Sequence, residues 1–546
     1  LVPLSARKVI FGAKLFALMK KIRGIRPVAC GETLRRIAAK LLLAQQKKKI
    51  SAIKWNQVAV GFPAGADVKV QAMRLFVQLA KIEHSQRAAS SSAAPAAAAS
   101  SVYTTKDDDL VSLEVDFRNA FNCISRDAIL QMVNKLLPAM LPYAAAALSL
   151  HSSLFFGDHT ISSESGAQQG DPASMLFFAL VLHAIEQDFR IAPLIKRMML
   201  APSYADDASY VGRACHVAQL FEMLVVVAKE YGLELQPDKS KIVSVGGTLP
   251  PCLAESGLGA ESVDNLVTLG CPVGANAGEL LDKQLEKAFA LMTVVSGLPN
   301  KHVALMMMSY CAAGPRVMHL MRALGTDEQQ PDFQHALQKR AASSLSPAPP
   351  PSVLNKRWKE FDARIGLALE AIVELNLDDF SMEQLRAPPR FGGCNIRSVF
   401  SHASVAHAVS CRRFAERWSC VAPSADPGCA PPTAEQLAAA QAASQDAQMQ
   451  GLEGSDPRAE EIINYDSATP ILKPASIDTV ISASSEPSAF VPVISDAILT
   501  LSRRDRLEIA EKNVQHSLSN TIEESAFNSR IDCLKAVTAA DNSSRA

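Results

Sequence analysis

Two carboxylate-bearing segments about ninety residues apart constrain the fold of this chain more than any other feature. In LVSLEVDFRNAF (110–121), Val111, Leu113 and Val115 alternate with Ser112, Glu114 and Asp116, the period of a half-buried strand. Asp116 falls at the end of that strand, where a carboxylate can project into a cleft. Ser125 suits the N-cap of a helix over 126–137. In RMMLAPSYADDASYVG (197–212), short apolar strands flank Ala205-Asp206-Asp207, which predicts a tight hairpin with two carboxylates at its tip. Singly, each segment has an ordinary explanation: an acid at a strand end, or a solvated turn. Together, in this order, they are what is needed to hold two divalent ions about 3.5–4 Å apart. Such ions would neutralise adjacent carboxylates that otherwise repel.

Between them lies SGAQQGDPASMLFFALVL (165–182). Gly166 and Gly170 allow a close backbone approach to a ligand. Asp171 reads as an N-cap and Pro172 as the first helical residue. The helix that follows is apolar on every side, so it is expected to be buried. Gln169 sits on the turn before it, where it can meet a nucleotide or a template base. A purely structural glycine turn is the alternative.

The net charge of zero hides an uneven distribution. Residues 1–54 hold fourteen lysines and arginines against one acid, Glu32. That local surface suits a phosphate backbone, although a solvated basic helix would look the same. The eleven cysteines form no CxxC pair, which argues against a disulfide framework or a zinc ribbon. His402, His407, Cys411 and Cys420 lack a familiar zinc spacing and read as buried helix residues. The apolar runs 137–150 and 173–185 are too short to span a bilayer. The first residue is Leu rather than Met, which reads as a piece of a longer frame.

Residues 84–106 are an Ala/Ser-rich stretch that reads as a surface-loop insertion. Residues 107–275 are dense in strand, turn and helix signals, and 276–415 are mainly helical by periodicity. The tail, 416–546, is Ala/Gln/Ser/Pro-rich with helical patches and no assigned role.

These segments resemble motifs A, B and C of reverse transcriptases, and further blocks follow in order. IRGIRPVACGETLRR (22–36) and AVGFPAGADVKVQAMR (59–74) resemble the fingers blocks of retroelement enzymes. YGLELQPDKSKIV (231–243) resembles motif D and TLGCPVG (268–274) the primer grip. PPRFGGCNIRS (388–398) resembles the Gly-Gly block that closes the thumb side of LINE-type enzymes, with Cys394-Asn395 where Leu-Gly is usual. The Ala of YADD and the Gly-Gly block place the likeness with the non-LTR class. No upstream endonuclease and no Cys/His knuckle accompany these blocks.

The resemblance implies an α+β right-hand polymerase fold. Fingers and a mixed-sheet palm would occupy 1–275, and a helical thumb 276–415. It implies an RNA-directed DNA polymerase that takes dNTPs, an RNA template and a DNA primer or target, with two Mg²⁺ ions or Mn²⁺ in their place. Asp116, Asp206 and Asp207 would hold the metals, helped by the Phe117 carbonyl. Phe121 would be the gate against a ribose 2′-hydroxyl. Arg26, with Lys20 or Lys21, would hold the triphosphate, and Gln169 and Gly170 would contact the nucleotide. Lys239 would give a proton to pyrophosphate, against the alternative of a surface lysine. Leu269, Gly270 and Cys271 would form the primer grip. A nuclear location with a cytoplasmic ribonucleoprotein stage follows from the same likeness, with no membrane association and the oligomeric state open. Two rivals stand beside it: an idle or maturase-like RNA-binding protein on the same fold, and an RNA-dependent RNA polymerase. The three aspartates weigh against the first and Phe121 against the second.

Overall fold

Alternation, caps and turns divide the chain into short, regular elements. The computed structural model describes residues 9–19, 25–53, 56–91, 104–274, 277–327 and 353–423. It opens with strands β1 (Ala13–Met19) and β2 (Ile25–Gly31) and helices α1 (Thr33–Ala52) and α2 (Gly65–Ser91). Then come β3 (Leu110–Val115), α3 (Arg126–Leu136), α4 (Leu141–Leu148), β4 (Ser152–Phe156), β5 (His159–Ser163) and α5 (Ser174–Glu186). β6 (Ser203–Tyr204), β7 (Asp207–Arg213), α6 (Ala214–Glu230), β8 (Lys241–Ser244) and β9 (Gly259–Ser262) follow. A small ribbon, β10 (Val267–Thr268) and β11 (Cys271–Pro272), leads into α7 (Ala277–Ser296), α8 (Lys301–Met307), α9 (Gly314–Leu324), α10 (Leu354–Val373), α11 (Asp379–Arg386) and α12 (Val399–Glu416). Two compact units result. Of the described residues, the first holds those up to Leu266 together with 416–423, and the second those from Val267 to Ala415.

The described part of the first unit is α+β, with two sheets. In the larger, with order β6-β7-β3-β8-β9, β3 pairs antiparallel with both β7 and β8, and β8 pairs parallel with β9. One face carries Val111, Leu113, Val115, Ala208 and Tyr210 into a core shared with Phe177, Phe178 and Leu180 of α5 and Leu220, Phe221 and Leu224 of α6. The other face was expected to be solvated. Instead Ser112 is fully buried, because α2 lies along that side. A polar strand face covered by a helix must satisfy its hydroxyls and charges internally, and it does so at Glu114 (below). The smaller sheet has the order β2-β1-β4-β5, with Arg26 of β2 opposite Leu18 of β1. α1 buries only Arg35, Ala39 and Ile50, so the basic run Lys47–Lys49 rides on a largely solvated helix.

Three boundaries differ from the sequence reading. The Ala/Ser-rich stretch is helical at its start, since α2 continues to Ser91, and 92–103 lie outside the described residues. Arg87 anchors that last turn, pairing with Glu83 one turn back and with Asp108 and Asp109 before β3. α5 begins at Ser174, two residues later than Pro172, while Asp171 still caps its approach: Oδ1 accepts from Ala173 N–H at 2.8 Å and the other oxygen pairs with Arg35. Finally, the first described residues of the tail rejoin the first unit: Ala201 N–H donates to the Val421 carbonyl at 2.7 Å, and the Arg417 guanidinium lies over the Phe62 ring. The rest of the tail, from 424, and the Pro-rich stretch at 345–352 are outside the described residues.

The described part of the second unit is helical apart from its opening ribbon. Buried Asp362 of α10 organises it, accepting from Val399 N–H at 2.7 Å and Phe400 N–H at 3.2 Å and from the Ser398 hydroxyl. At Gly393 a Cβ would lie 2.0 Å from the Ala387 carbonyl oxygen, so only glycine fits this turn. His402 and His407 are buried on α12 and bond the carbonyls of Ser398 and Arg322. Among the described residues no helix is long and apolar enough to cross a membrane.

Candidate active site

β3 and β7 run antiparallel with Val115 opposite Ala208, which brings Asp116, just past the end of β3, beside Asp207, the first residue of β7. β6 and β7 are joined by Ala205 and Asp206 alone, since Tyr204 pairs with Asp207. The three carboxylates therefore meet at one corner of the sheet. Asp206 is open to solvent on one side, yet protein crowds its carboxyl group. That desolvation raises its pKa first, Asp207 and Asp116 raise it further, and its own backbone N–H and Arg26 act in the opposite direction.

The backbone at Asp116 is pinned from the motif D side. Its N–H donates to Ser240 Oγ at 3.0 Å, and its carbonyl accepts from Gln236 N–H at 2.9 Å. Lys239, the residue before Ser240, is exposed on the turn so fastened. On the face under α2, Glu114 accepts from Ser112 Oγ and Ser209 Oγ, both at 2.7 Å. Lys69 of α2, fully enclosed, donates from Nζ to the Asp207 carbonyl at 2.8 Å. Burial lowers its pKa, while Glu114, Asp207 and Asp206 pull the other way. A fully buried lysine amine thus sits behind the carboxylate corner.

A second group of expected residues gathers around β2 and α5. Gln169 and Gly170 lie against β2. Ala29 N–H donates to the Gln169 carbonyl at 2.6 Å, and a Cβ on Gly170, at φ +114°, would approach the Ala29 oxygen to 2.5 Å. Gly166 (φ +65°) is pressed equally closely on the carbonyls of Phe121 and Asn122. Phe121, on the one-turn helix Ala120–Cys123, is half-buried with its ring 5.0 Å from that of Phe178. Phe117 is buried against the same Phe178 ring. Lys20 and Lys21 lie outside the described residues. Leu269, Gly270 and Cys271 belong to the second unit, where Leu269 (φ +50°) and Gly270 (φ +79°) make the turn between β10 and β11.

A divalent cation suits the charge at the carboxylate corner, because it would offset the repulsion that raises Asp206. The side chains are not closed around one point, however. Among the described residues no three His, Cys, Asp or Glu side chains already converge as a metal site. An ion held there would take its ligands from Asp116, Asp206 and Asp207.

Behind β7, Tyr210 donates its hydroxyl to Glu186 of α5 at 3.2 Å. Burial pushes the Glu186 carboxyl up to about 7, against the hydrogen bond from Tyr210 and the nearby polar side chains of Asn56 and Ser203. A carboxyl raised in the fold binds its proton more tightly there than in the unfolded chain. Folding stability therefore declines as pH rises from the ordinary carboxylate range through about 7 and is level above it. The displacement corresponds to about 3 kcal/mol. Glu186→Gln is expected to flatten this part of the stability profile between pH 4.5 and 7.5, measured by urea unfolding of both proteins. An unchanged slope would show that Glu186 ionises normally.

Sequence reading missed Lys69, Glu114 and the buried group around Arg35, in which Arg35 pairs with Asp171 and donates to Gln168 Oε1 at 3.0 Å. A signal existed for the first. Asp67, Lys69, Gln71 and Arg74 interrupt the apolar positions Val68, Val70 and Met73, and all seven are buried. Charges inside a helix covered on every side require partners elsewhere in the fold.

Residues 19–273 match the family model described as reverse transcriptase (RNA-dependent DNA polymerase). Among solved structures, the chain is similar to telomerase from Candida albicans in complex with a TWJ fragment of telomeric RNA, at 11% identity and TM-score 0.40 over 86% of this chain and 66% of that one. It is also similar to apo telomerase from Candida tropicalis, at 8% identity and TM-score 0.35 over 76% of this chain and 68% of that one. A form of the latter truncated from its C-terminal domain aligns at 9% identity and TM-score 0.30 over 42% of this chain and 49% of that one. The chain thus spans between about half and two thirds of these telomerase chains. No curated protein matches it.

Proposed function

We propose that the reverse transcriptase domain at residues 19–273 extends a DNA 3′-end on an RNA template by two-metal nucleotidyl transfer, and that it comes from a non-LTR retrotransposon. The observation that carries the chemistry is the corner where Asp116, Asp206 and Asp207 act on one another through charge. Divalent ions bound there supply charge neutralisation for the triphosphate and lower the pKa of the primer 3′-hydroxyl. The protein's part is mainly positioning, as is usual in phosphoryl transfer.

Asp116, Asp206 and Asp207 hold the ions, assisted by the Phe117 carbonyl. Arg26, within electrostatic reach of Asp206, takes the triphosphate, and Gln169 and Gly170 fix the nucleotide. Lys239 hands a proton to the departing pyrophosphate. Residues 276–415 act as the thumb, with Leu269, Gly270 and Cys271 gripping the primer. The alanine of Tyr204-Ala205-Asp206-Asp207 and the Gly392-Gly393 turn support the non-LTR assignment. A protein of that kind works on a DNA target in the nucleus after a cytoplasmic stage with its RNA.

The test uses the purified chain, an RNA template with a DNA primer, and separate dNTP and rNTP pools. Extension with dNTPs alone is expected, and extension with rNTPs alone would replace this reading by an RNA polymerase. Phe121→Val sharpens it. If the Phe121 ring lies under the incoming sugar, a 2′-hydroxyl there costs about 1–3 kcal/mol of overpacking, so the variant gains roughly 5- to 150-fold in rNTP use relative to dNTP. A ring that only anchors the helix against Phe178 would lower both activities together and leave the ratio unchanged.

A further inference from the structure

The turn that carries Asp206 is strained. Ala205 has φ +56°, a left-handed conformation that a residue with a Cβ rarely adopts. Such a residue persists only where its surroundings over-determine it. Here the surroundings are the two-residue hairpin, which calls for positive φ at its first loop residue, and one side chain bound to that residue. Gln57 Oε1 accepts from Ala205 N–H at 2.9 Å, and Gln57 Nε2 donates to the Ala205 carbonyl at 3.1 Å. The same amide oxygen accepts from Ala59 N–H at 2.9 Å, which fixes the orientation of the amide. Gln57 is 1% exposed, so water cannot replace these bonds.

The segment that carries Gln57 is itself fastened. Val58 N–H donates to the Ser203 carbonyl at 2.8 Å, and Ser203 N–H donates to the Asn56 carbonyl at 3.1 Å, which extends the sheet by one short parallel bridge beyond β6. From the other side the first turn of α2 presses on it. At Gly65 a Cβ would lie 1.6 Å from the Val58 oxygen, so only glycine admits the helix this close. Gln57 therefore reaches Ala205 from a rigid platform and holds both polar atoms of its backbone.

We propose that Gln57 is a positioning residue for polymerisation: its side-chain amide clamps the Ala205 backbone in its left-handed state and so aims the Asp206 and Asp207 carboxylates. The role rests on the polymerase reading of the aspartates. The Gln57 amide bonds only backbone groups, of Ala205 and Ala59, and acts through the turn. A turn freed of the clamp relaxes toward negative φ and swings Asp206 away from Asp116. A displacement of about 1 Å at such a site lowers rate on the order of 100-fold.

Gln57→Met conserves volume and shape but removes both bonds. In primer extension by the full chain, it is expected to lower the rate about 10- to 100-fold and to raise the Mg²⁺ concentration for half-maximal rate, with primer–template affinity unchanged. Glycine adopts positive φ without cost, so Ala205→Gly added to Gln57→Met is expected to recover several-fold of the lost rate. A residue that merely fills the core would lower thermal stability without moving the Mg²⁺ requirement, and Ala205→Gly would recover nothing; either result overturns the proposal. Amide exchange over residues 203–209 reads the clamp with no catalysis at all. Gln57→Met is expected to release protection at Ala205, and unchanged protection also overturns the clamp. A wild-type protein that extends no primer would instead defeat the polymerase reading, and the exchange measurement would still decide the clamp.

Discussion

Asp206→Asn is expected to lower primer extension by about 10³-fold or more while making the metal-free protein harder to unfold. The two effects share one cause. Asp206 is crowded by protein and faces Asp207 and Asp116, and all three influences favour its uncharged form. At neutral pH the ionised carboxylate therefore works against the fold. Asparagine keeps the shape and removes the charge. The sign follows from linkage: a carboxyl whose pKa is raised in the fold loses stability as pH rises above the ordinary carboxylate range, so the advantage of the variant grows in that direction. Catalysis moves the opposite way. Metal-ion stabilisation of a phosphoryl-transfer transition state is worth several kcal/mol, and each 1.36 kcal/mol is tenfold in rate. Primer–template affinity should change little, because it comes from phosphate contacts spread over a basic surface. The measurements are extension rate, duplex affinity by fluorescence anisotropy, and urea unfolding at pH 5 and pH 8. Wild-type extension in this variant would remove Asp206 from the site. A stability loss that grows with pH would mean that its ionised form is favoured by partners rather than opposed.

Arg35→Met is expected to be the most destabilising single change in the first unit, at about 3–5 kcal/mol. Arg35 lies on α1 with its guanidinium enclosed, paired with Asp171 and donating to the Phe11 carbonyl at 2.7 Å and to Gln168 Oε1 at 3.0 Å. It also rests on the Phe11 ring, 5.3 Å from the centroid. Tyr143 donates to the same Asp171 oxygen at 3.2 Å, and burial together with that carboxylate pushes the Tyr143 hydroxyl up to about 12. Removing the arginine strands a buried carboxylate, and that stranded charge, more than the lost attraction, sets the cost. Arg35→Met with Asp171→Leu is therefore expected to recover a large part of the loss, a coupling that a double-mutant cycle in urea would show directly. Gln168 and Asp171 lie one and two residues from Gln169, so the single variant should also raise the apparent KM for dNTP. Additive losses in the cycle would mean that the two side chains act independently.

Much of the corner's geometry is legible in the sequence. The strict alternation of Val111, Leu113 and Val115 places Asp116 at a strand end, and the short strands on either side of Ala205-Asp206 specify a hairpin of minimal length. Ser125 caps α3 as its residue type demands, its hydroxyl accepting from Ala128 N–H at 3.2 Å. These are local matters: side-chain period, cap chemistry and turn length act over a few residues, so a few residues suffice to read them. The covering of the Ser112 face by α2, the enclosure of Lys69 behind Asp207, the capture of Asp171 by Arg35 and the grip of Gln57 on Ala205 were decided only by tertiary structure. Each joins residues far apart in the chain, and each exists because a buried polar group must find its partner wherever packing brings one within reach. Gln57 and Ala205 are separated by 148 positions, and nothing in either local sequence indicates that one would hold the other.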